Sequence, residues 1–134
     1  MNGNDLLTNY LVDTSGVSKY FDETLPDWAL ALLDEVIEQQ QPHLSVIVRI
    51  ELKVYKPLIK RREAQIQEFI DSCMIHDLTE EIVLQTIKIR RHYRTKLPDA
   101  IIAATAIVND FTLLSTNDSD FEKITGLKYR SLNQ

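Results

Sequence analysis

A chain of 134 residues that is 44% hydrophobic is large enough for one domain with a core of its own and lies within the globular range. A formal net charge of −5 argues against nucleic-acid binding by bulk electrostatics. A single cysteine excludes an internal disulfide framework and CxxC zinc sites, and the longest apolar run, 100–108 with Thr105 included, is too short to span a bilayer.

No basic and then apolar leader is read at the N-terminus, so the expectation is a soluble, cytoplasmic protein with no membrane partner. The whole chain, 1–134, reads as one domain, with the polar residues 1–8 expected to be poorly ordered. Tyr10, Leu11 and Val12 are an apolar run suited to a buried strand. Asp13-Thr14-Ser15-Gly16 follows at once, which sets a carboxylate at the strand tip with two hydroxyls behind it. A short helix over 17–21 comes next. Pro26-Asp27 opens another helix, with a face of Ala29, Leu32, Leu33, Val36 and Gln40. Pro42 stops it, and His43 and Leu44 form a short second strand.

Ser45 caps a further helix, whose face is Ile47, Ile50, Glu51, Val54 and Leu58. Glu51 is the odd member of that face. An unpaired carboxylate is costly to bury, so it needs a base such as Arg49 or Lys53, or else a cation. Pro57 interrupts, Lys60-Arg61-Arg62 reads as exposed, and Ile66, Phe69, Ile70 and Cys73 continue a helix in which Cys73 is a buried structural thiol. A strand over 74–78 leads to Thr79, which caps a helix carrying Ile82, Val83 and Ile87. That helix ends in KIRRHYRTK (88–96), part of a stretch, 49–96, that holds eleven of the fifteen lysines and arginines. The run reads either as a solvated helix face or as a rim for phosphates, and it stops three residues before Asp99.

The segment 96–124, KLPDAIIAATAIVNDFTLLSTNDSDFEKI, carries the most information. Pro98 suits a first helical turn, and Asp99 faces the positive end of the helix dipole. Ile101 to Val108 are small or apolar all round, as in a helix buried on most sides. Asn109 and Asp110 end it. Residues 111–114 suit the middle of a parallel sheet, and Ser115, Thr116 and Asn117 break the strand ahead of Asp118 and Asp120. Phe121 and Ile124 pack a short turn, and 127–132 form an edge strand. The order β-α-α-β-α-α-β-α-α-β-β predicts an α/β fold, a central parallel sheet of four to five strands with helices on both sides.

Acids thus stand at a strand tip (Asp13), on a helix (Glu51), at a helix start (Asp99) and after another strand tip (Asp118, Asp120), and in open α/β folds sites form beyond the carboxyl ends of strands. Taken singly, Asp99 reads equally well as a cap and Asp118 as a turn residue. Taken together they pose a problem of charge. Two carboxylates about 4 Å apart repel by roughly 4 kcal/mol at an effective dielectric near 20, so four stay ionised only beside a cation or by sharing protons. Oxygen ligands with no Cys or His nearby in sequence favour Mg²⁺ or Mn²⁺ over zinc.

Three blocks, YLVDTSGVSKYF at 10–21, LSVIVRIELKVY at 44–55 and the segment 96–124, resemble in order and spacing the PIN domain, and especially the VapC-type ribonuclease toxins of type II toxin–antitoxin pairs. The resemblance implies a single PIN-like domain that hydrolyses RNA phosphodiester bonds with Mg²⁺, Mn²⁺ serving as substitute. By position it makes Asp13, Glu51, Asp99 and Asp118 the catalytic, metal-holding acids, with Asp120 able to replace Asp118 or to act through a water. Thr14, Ser15, Thr116 and Asn117 match positions that orient the acids or a water, and Arg90, Arg91 and Arg94 are placed to meet RNA. The family further implies a homodimer and an antitoxin docked near the cleft. One departure stands out: the family often has Ser or Thr three residues before the glutamate, where this chain has Val48, which removes a hydroxyl from beside Glu51. The alternative reading is a PIN-like module without activity that binds RNA or a partner. A phosphatase of the haloacid-dehalogenase type is disfavoured, because Ser15 stands where that family places a second acid.

Overall fold

The computed structural model describes residues 8–39 and 41–133. Of the segment 1–8, all but Thr8 lies outside the described residues, as does Gln40 on the face of the second helix. The elements run β1 (Tyr10–Val12), α1 (Thr14–Phe21), α2 (Asp27–Gln39), β2 (His43–Ser45), α3 (Val46–Val54), α4 (Arg62–Ser72), β3 (Met74–His76), α5 (Glu80–His92), α6 (Leu97–Asn109), β4 (Thr112–Ser115), α7 (Asp118–Phe121) and β5 (Lys128–Ser131). The five strands form one sheet in the order β3-β2-β1-β4-β5, and every pairing is parallel. This is the α/β architecture expected, with the sheet flanked among the described residues by seven helices.

Short apolar strands buried on both faces make the centre of such a sheet. Leu11, Leu44, Leu113 and Leu114 have no exposed surface. Leu11 lies beside Leu113, and Val12 beside Leu114, so the chain leaves β1 and β4 at the same level. From β1 the chain moves first to β2 and β3 on one side and only later to β4 and β5 on the other. The crevice between β1 and β4 is therefore the place where the strand order reverses, the usual location of a site in an open sheet.

Helix α6 covers that centre. Ala100 to Ala106 are all buried, and the Thr105 hydroxyl is satisfied within the helix by donating to the Ile101 carbonyl at 2.7 Å. Asp110 ends α6 in the left-handed region, at φ 57°. The link 93–96 folds α6 back along α5, which packs on it through Ile82, Thr86 and Ile89.

Several expectations need correction. Helix α1 starts at Thr14, not at 17, because Asp13 is extended and its carbonyl accepts from the Val17 N–H at 3.1 Å to close the first turn. Gly16 lies inside α1: a Cβ there would sit 3.0 Å from Leu132 Cδ1 and 3.1 Å from Val12 Cγ1, so its bare backbone permits close approach. In α3 the core takes Val48 and Leu52. Ile50, Val54 and Leu58, assigned to an apolar face, are 55%, 74% and 76% exposed, and the helix ends before Pro57. In α5, Ile89 is buried and Ile87 is exposed. Strand β3 is short and lies at the sheet edge, Ser115 is the last residue of β4, and 118–121 form a turn of helix.

Arg62 is not free surface either. Its side chain, 14% exposed, reaches Asp22 at 3.7 Å and Glu23 at 3.3 Å. The Asp22 carboxylate, 7% exposed, also accepts from the Tyr55 hydroxyl and from the Leu58 N–H, the latter at 3.1 Å. Removing one partner of a covered pair strands the other charge, whereas an exposed pair contributes little. Arg62→Ala should therefore cost about 2 kcal/mol in urea unfolding. Lys128→Ala, which breaks the exposed Lys128–Asp110 pair at 2.8 Å, should cost no more than about 0.5 kcal/mol.

Candidate active site

Asp13 follows the last residue of β1 and is 2% exposed. Its N–H donates to the Leu114 carbonyl at 2.9 Å, which extends the β1–β4 ladder by one step and holds the side chain in the crevice. Oδ2 of its carboxylate accepts from two hydroxyls, Ser115 Oγ at 2.7 Å and Ser15 Oγ at 3.1 Å. Each hydroxyl in turn accepts from a backbone amide: Ser15 from the Thr116 N–H at 3.2 Å and Ser115 from the Asn117 N–H at 3.0 Å. Both chains of hydrogen bonds point the same way, so each bond polarises the next toward the carboxylate. Burial raises the Asp13 carboxyl above its ordinary value; the bonds from Ser115, Thr14 and Ser15 oppose this, and the Glu51 charge adds to it.

Glu51 reaches the crevice because Val48 and Leu52 anchor α3 to the core and leave residue 51 on its flank. The Thr14 hydroxyl donates to Glu51 Oε1 at 2.6 Å. The hydroxyl missing at Val48, which is fully buried, is thus supplied from α1.

Asp99 is in the first turn of α6, but the cap position belongs to Lys96, so the aspartate is not there as a cap. Its carboxyl is pushed up to about 6, first by burial and then by the negative charges of Asp120, Asp13 and Glu51, with Lys96 acting in the opposite sense. Carboxylates from three other segments therefore act on Asp99, and Glu51 acts on Asp13 as well. Among the described residues no three acidic, histidine or cysteine side chains are gathered closely enough to hold a metal ion as they stand.

Asp118 is placed differently. Its Oδ1 accepts from the Tyr129 hydroxyl and its Oδ2 from Asn133 Nδ2 at 2.9 Å. Burial would raise this carboxyl, but the bonds from Tyr129, Asn133 and Ser131 together hold it below its ordinary value. Of the two acids after β4, Asp120 is the one whose charge acts on Asp99.

Thr116 and Asn117 serve the crevice through their backbone amides, and Thr116 Oγ1 also accepts from Lys19 Nζ at 3.1 Å. Arg90 and Arg91 lie exposed in the last turn of α5, and Arg94 lies exposed in the link to α6. That link is tied down: Lys123 Nζ donates to the Arg94 carbonyl at 2.5 Å, and the Thr125 N–H donates to the Tyr93 hydroxyl at 3.0 Å. Among the described residues the three arginines take part in no ion pair.

Sequence reasoning passed over Ser115, Tyr129, Asn133 and Lys19. Ser115 was read only as a strand breaker, although pairing the two central strands in parallel would have set it beside Asp13. The other three act through contacts between segments distant in the chain, Tyr129 and Asn133 from the edge strand and its end and Lys19 from α1, that no local pattern encodes.

A family model described as the PIN domain matches residues 10–127. A comparison with curated proteins finds no match. Among solved structures, a chain of VapBC2 from Rickettsia felis, bound to a DNA fragment from its promoter, is 21% identical with a TM-score of 0.76, covering 92% of this chain and 98% of that one. A chain of a toxin–antitoxin complex from Klebsiella pneumoniae is 25% identical with a TM-score of 0.76, covering 94% and 99%. A chain of DNA-bound VapBC from Salmonella typhimurium is 19% identical with a TM-score of 0.73, covering 93% and 98%.

A carboxyl raised from 3.8 to about 6 by folding favours the native state most when protonated. That contribution is complete below about pH 3.8 and is lost as the pH rises through about 6. Asp99→Asn should therefore unfold at higher urea than the parent at pH 8 in EDTA, a gain of about 1 kcal/mol after solvent screening. The gain should vanish by pH 4; an equal effect at both pH values would contradict the electrostatic account.

Proposed function

The chain belongs to the PIN-domain family, and from that membership we propose that it is a metal-dependent endoribonuclease, the toxin of a type II toxin–antitoxin pair. PIN domains are generally nucleases that use divalent metal ions. The observation that carries the reading is the crevice at the ends of β1 and β4, where Ser15 and Ser115 hold the Asp13 carboxylate, Thr14 holds Glu51, and the charges of Asp120, Asp13 and Glu51 bear on Asp99.

The donor set fits a hard divalent cation. It consists of carboxylate oxygens, and their accumulated negative charge is what such an ion relieves. Asp13, Glu51, Asp99 and Asp120 would hold it. Mg²⁺, or Mn²⁺ in its place, supplies an acidified water and positive charge for the phosphoryl oxygens.

The chain's own residues do the rest. Ser15 and Ser115 fix one oxygen of Asp13 and leave the other edge of the carboxylate for the site. Thr14 orients Glu51. Asp99 holds a proton near pH 6 in the absence of a cation and gives it up as positive charge arrives, so loading the site is coupled to proton release. Arg90 and Arg91 at the end of α5 and Arg94 on the anchored link to α6, in no ion pair among the described residues, take the phosphates flanking the scissile bond. An RNA strand is thereby drawn to a crevice that is acidic at its floor and basic at its rim.

The working unit is a domain extending over 1–134, soluble in the cytoplasm and paired as a homodimer, with a cognate antitoxin as its protein partner. The toxin–antitoxin complexes among its structural relatives support the antitoxin. Ile50 and Val54, one turn apart on α3, and Leu58 beyond its end are exposed, and exposed apolar side chains of this kind support a chain that does not work alone. No helix among the described residues is long and apolar enough to cross a membrane.

Incubation with single-stranded RNA and Mg²⁺ tests this reading. Cleavage should stop in EDTA and return with Mn²⁺, and Asp13→Asn should lower the rate by about 100-fold or more with the circular dichroism spectrum unchanged. Cleavage that persists in EDTA, or at full rate in Asp13→Asn, would exclude a metal-dependent nuclease centred here.

A further inference from the structure

Asp118 has the residue type and the chain position of a site acid, yet both of its oxygens are engaged by neutral donors from the C-terminal arm. Tyr129 on β5 gives its hydroxyl proton to Oδ1. Asn133, just past β5, gives one amide hydrogen to Oδ2 and directs the same nitrogen at the Thr116 carbonyl, each at 2.9 Å. A side-chain amide has two hydrogens, and this one spends both, so the orientation of Asn133 is fixed by its two acceptors.

The same arm grips the exit of β4. The Leu132 N–H donates to the Ser115 carbonyl at 2.8 Å, and the Tyr129 hydroxyl lies 3.1 Å from that carbonyl. The Asn133 N–H donates to Ser131 Oγ at 3.0 Å, which closes the arm onto the last residue of β5, and Ser131 is itself paired with Ser115. Ser115 and Thr116, held in this way from one side, face Asp13 and Ser15 on the other.

We propose that Asp118 is a positioning residue: it latches the Tyr129–Asn133 arm across the β4 exit and so fixes Ser115 and Thr116, and through them the Asp13 carboxylate. This rests on the nuclease reading for the role of Asp13 and departs from the sequence expectation that Asp118 itself holds metal. The carboxylate is required because only an ionised acid offers both oxygens as acceptors. An asparagine has one acceptor oxygen: its N–H would either oppose the Asn133 amide or force the Tyr129 hydroxyl to reverse and donate to the Ser115 carbonyl 3.1 Å away, and in both cases the pair of acceptors that closes the latch is lost.

A double-mutant cycle read by urea unfolding in EDTA tests the latch without reference to metal or activity. Tyr129→Phe should raise the unfolding equilibrium constant about 10-fold when Asp118 is present and less than about 2-fold in the Asp118→Asn background. Additive effects would overturn the proposal. Should Asp118→Asn fail to fold, Asn133→Ala with Tyr129→Phe runs the same cycle through the other donor to the same carboxylate. Mn²⁺ titration then separates positioning from direct ligation. As a positioning residue, Asp118 predicts that Asp118→Asn and Tyr129→Phe weaken Mn²⁺ binding alike, by about 10-fold. A loss in Asp118→Asn with none in Tyr129→Phe, whose carboxylate is intact, would make Asp118 a ligand and overturn the latch. Parent protein that takes up no Mn²⁺ would sink the nuclease reading, while the unfolding cycle would still decide the latch.

Discussion

The structure depends on one buried carboxylate. Asp13 sits where β1 ends, out of contact with solvent, and a carboxylate in that position is tolerable only if the protein replaces its water. Two serine hydroxyls do so, Ser15 from the first turn of α1 and Ser115 from the end of β4, the second available because β1 and β4 are parallel neighbours in register. That register places Ser115 at the level of Asp13, while the tight start of α1 places Ser15 there from the other side. The sheet order is thus part of the site: a different neighbour for β1 would take away Ser115, the nearer of the two donors.

Around this fixed point the fold gathers charge from elements that the common core brings together. Helix α3 brings Glu51, α6 brings Asp99, and the turn after β4 brings Asp120. The first turns of α1 and α6 contribute partial positive charge from their free N–H groups, and Lys96 adds a full one. These offsets are incomplete, and the residue of the repulsion appears at Asp99, whose carboxyl is held near 6. A protein optimised only for stability would not keep such a cluster. The retained instability is what a site for a divalent cation requires, and it is the common trade between stability and function.

The sequence made the frame legible where the pattern was strong. The apolar run Tyr10-Leu11-Val12 ahead of Asp13, the capping residues Ser45 and Thr79, and the uniformly apolar 101–108 with Asp110 behind it all follow from local propensity and burial. The parallel sheet followed from their alternation. Misreadings arose where tertiary contact decided. Helical spacing in α3 is satisfied by two faces, and the core took Val48 and Leu52 instead of the Ile50–Val54 stripe; Glu51, apparently an intruder on a buried face, is an ordinary resident of a flank turned to the crevice. The constraint on Gly16, the nearness of Leu132, could not be read locally because Leu132 lies more than a hundred positions away. Asp118 and Asp120 share a short motif, and nothing within it distinguishes them. The distinction is made by Tyr129 and Asn133, whose parts in the site are defined only once β5 has paired with β4.

The central claim is that Asp13, Glu51, Asp99 and Asp120 act on one another as a single electrostatic unit. It is tested most directly by a ¹³C NMR titration of the aspartate carboxyls, with Asp99 assigned by comparison with Asp99→Asn. In EDTA, Asp99 should titrate near 6, move toward 3.8 in Asp120→Asn, and fall when Mg²⁺ is added. An Asp99 carboxyl that titrates at its ordinary value and ignores both the substitution and the cation would contradict the account.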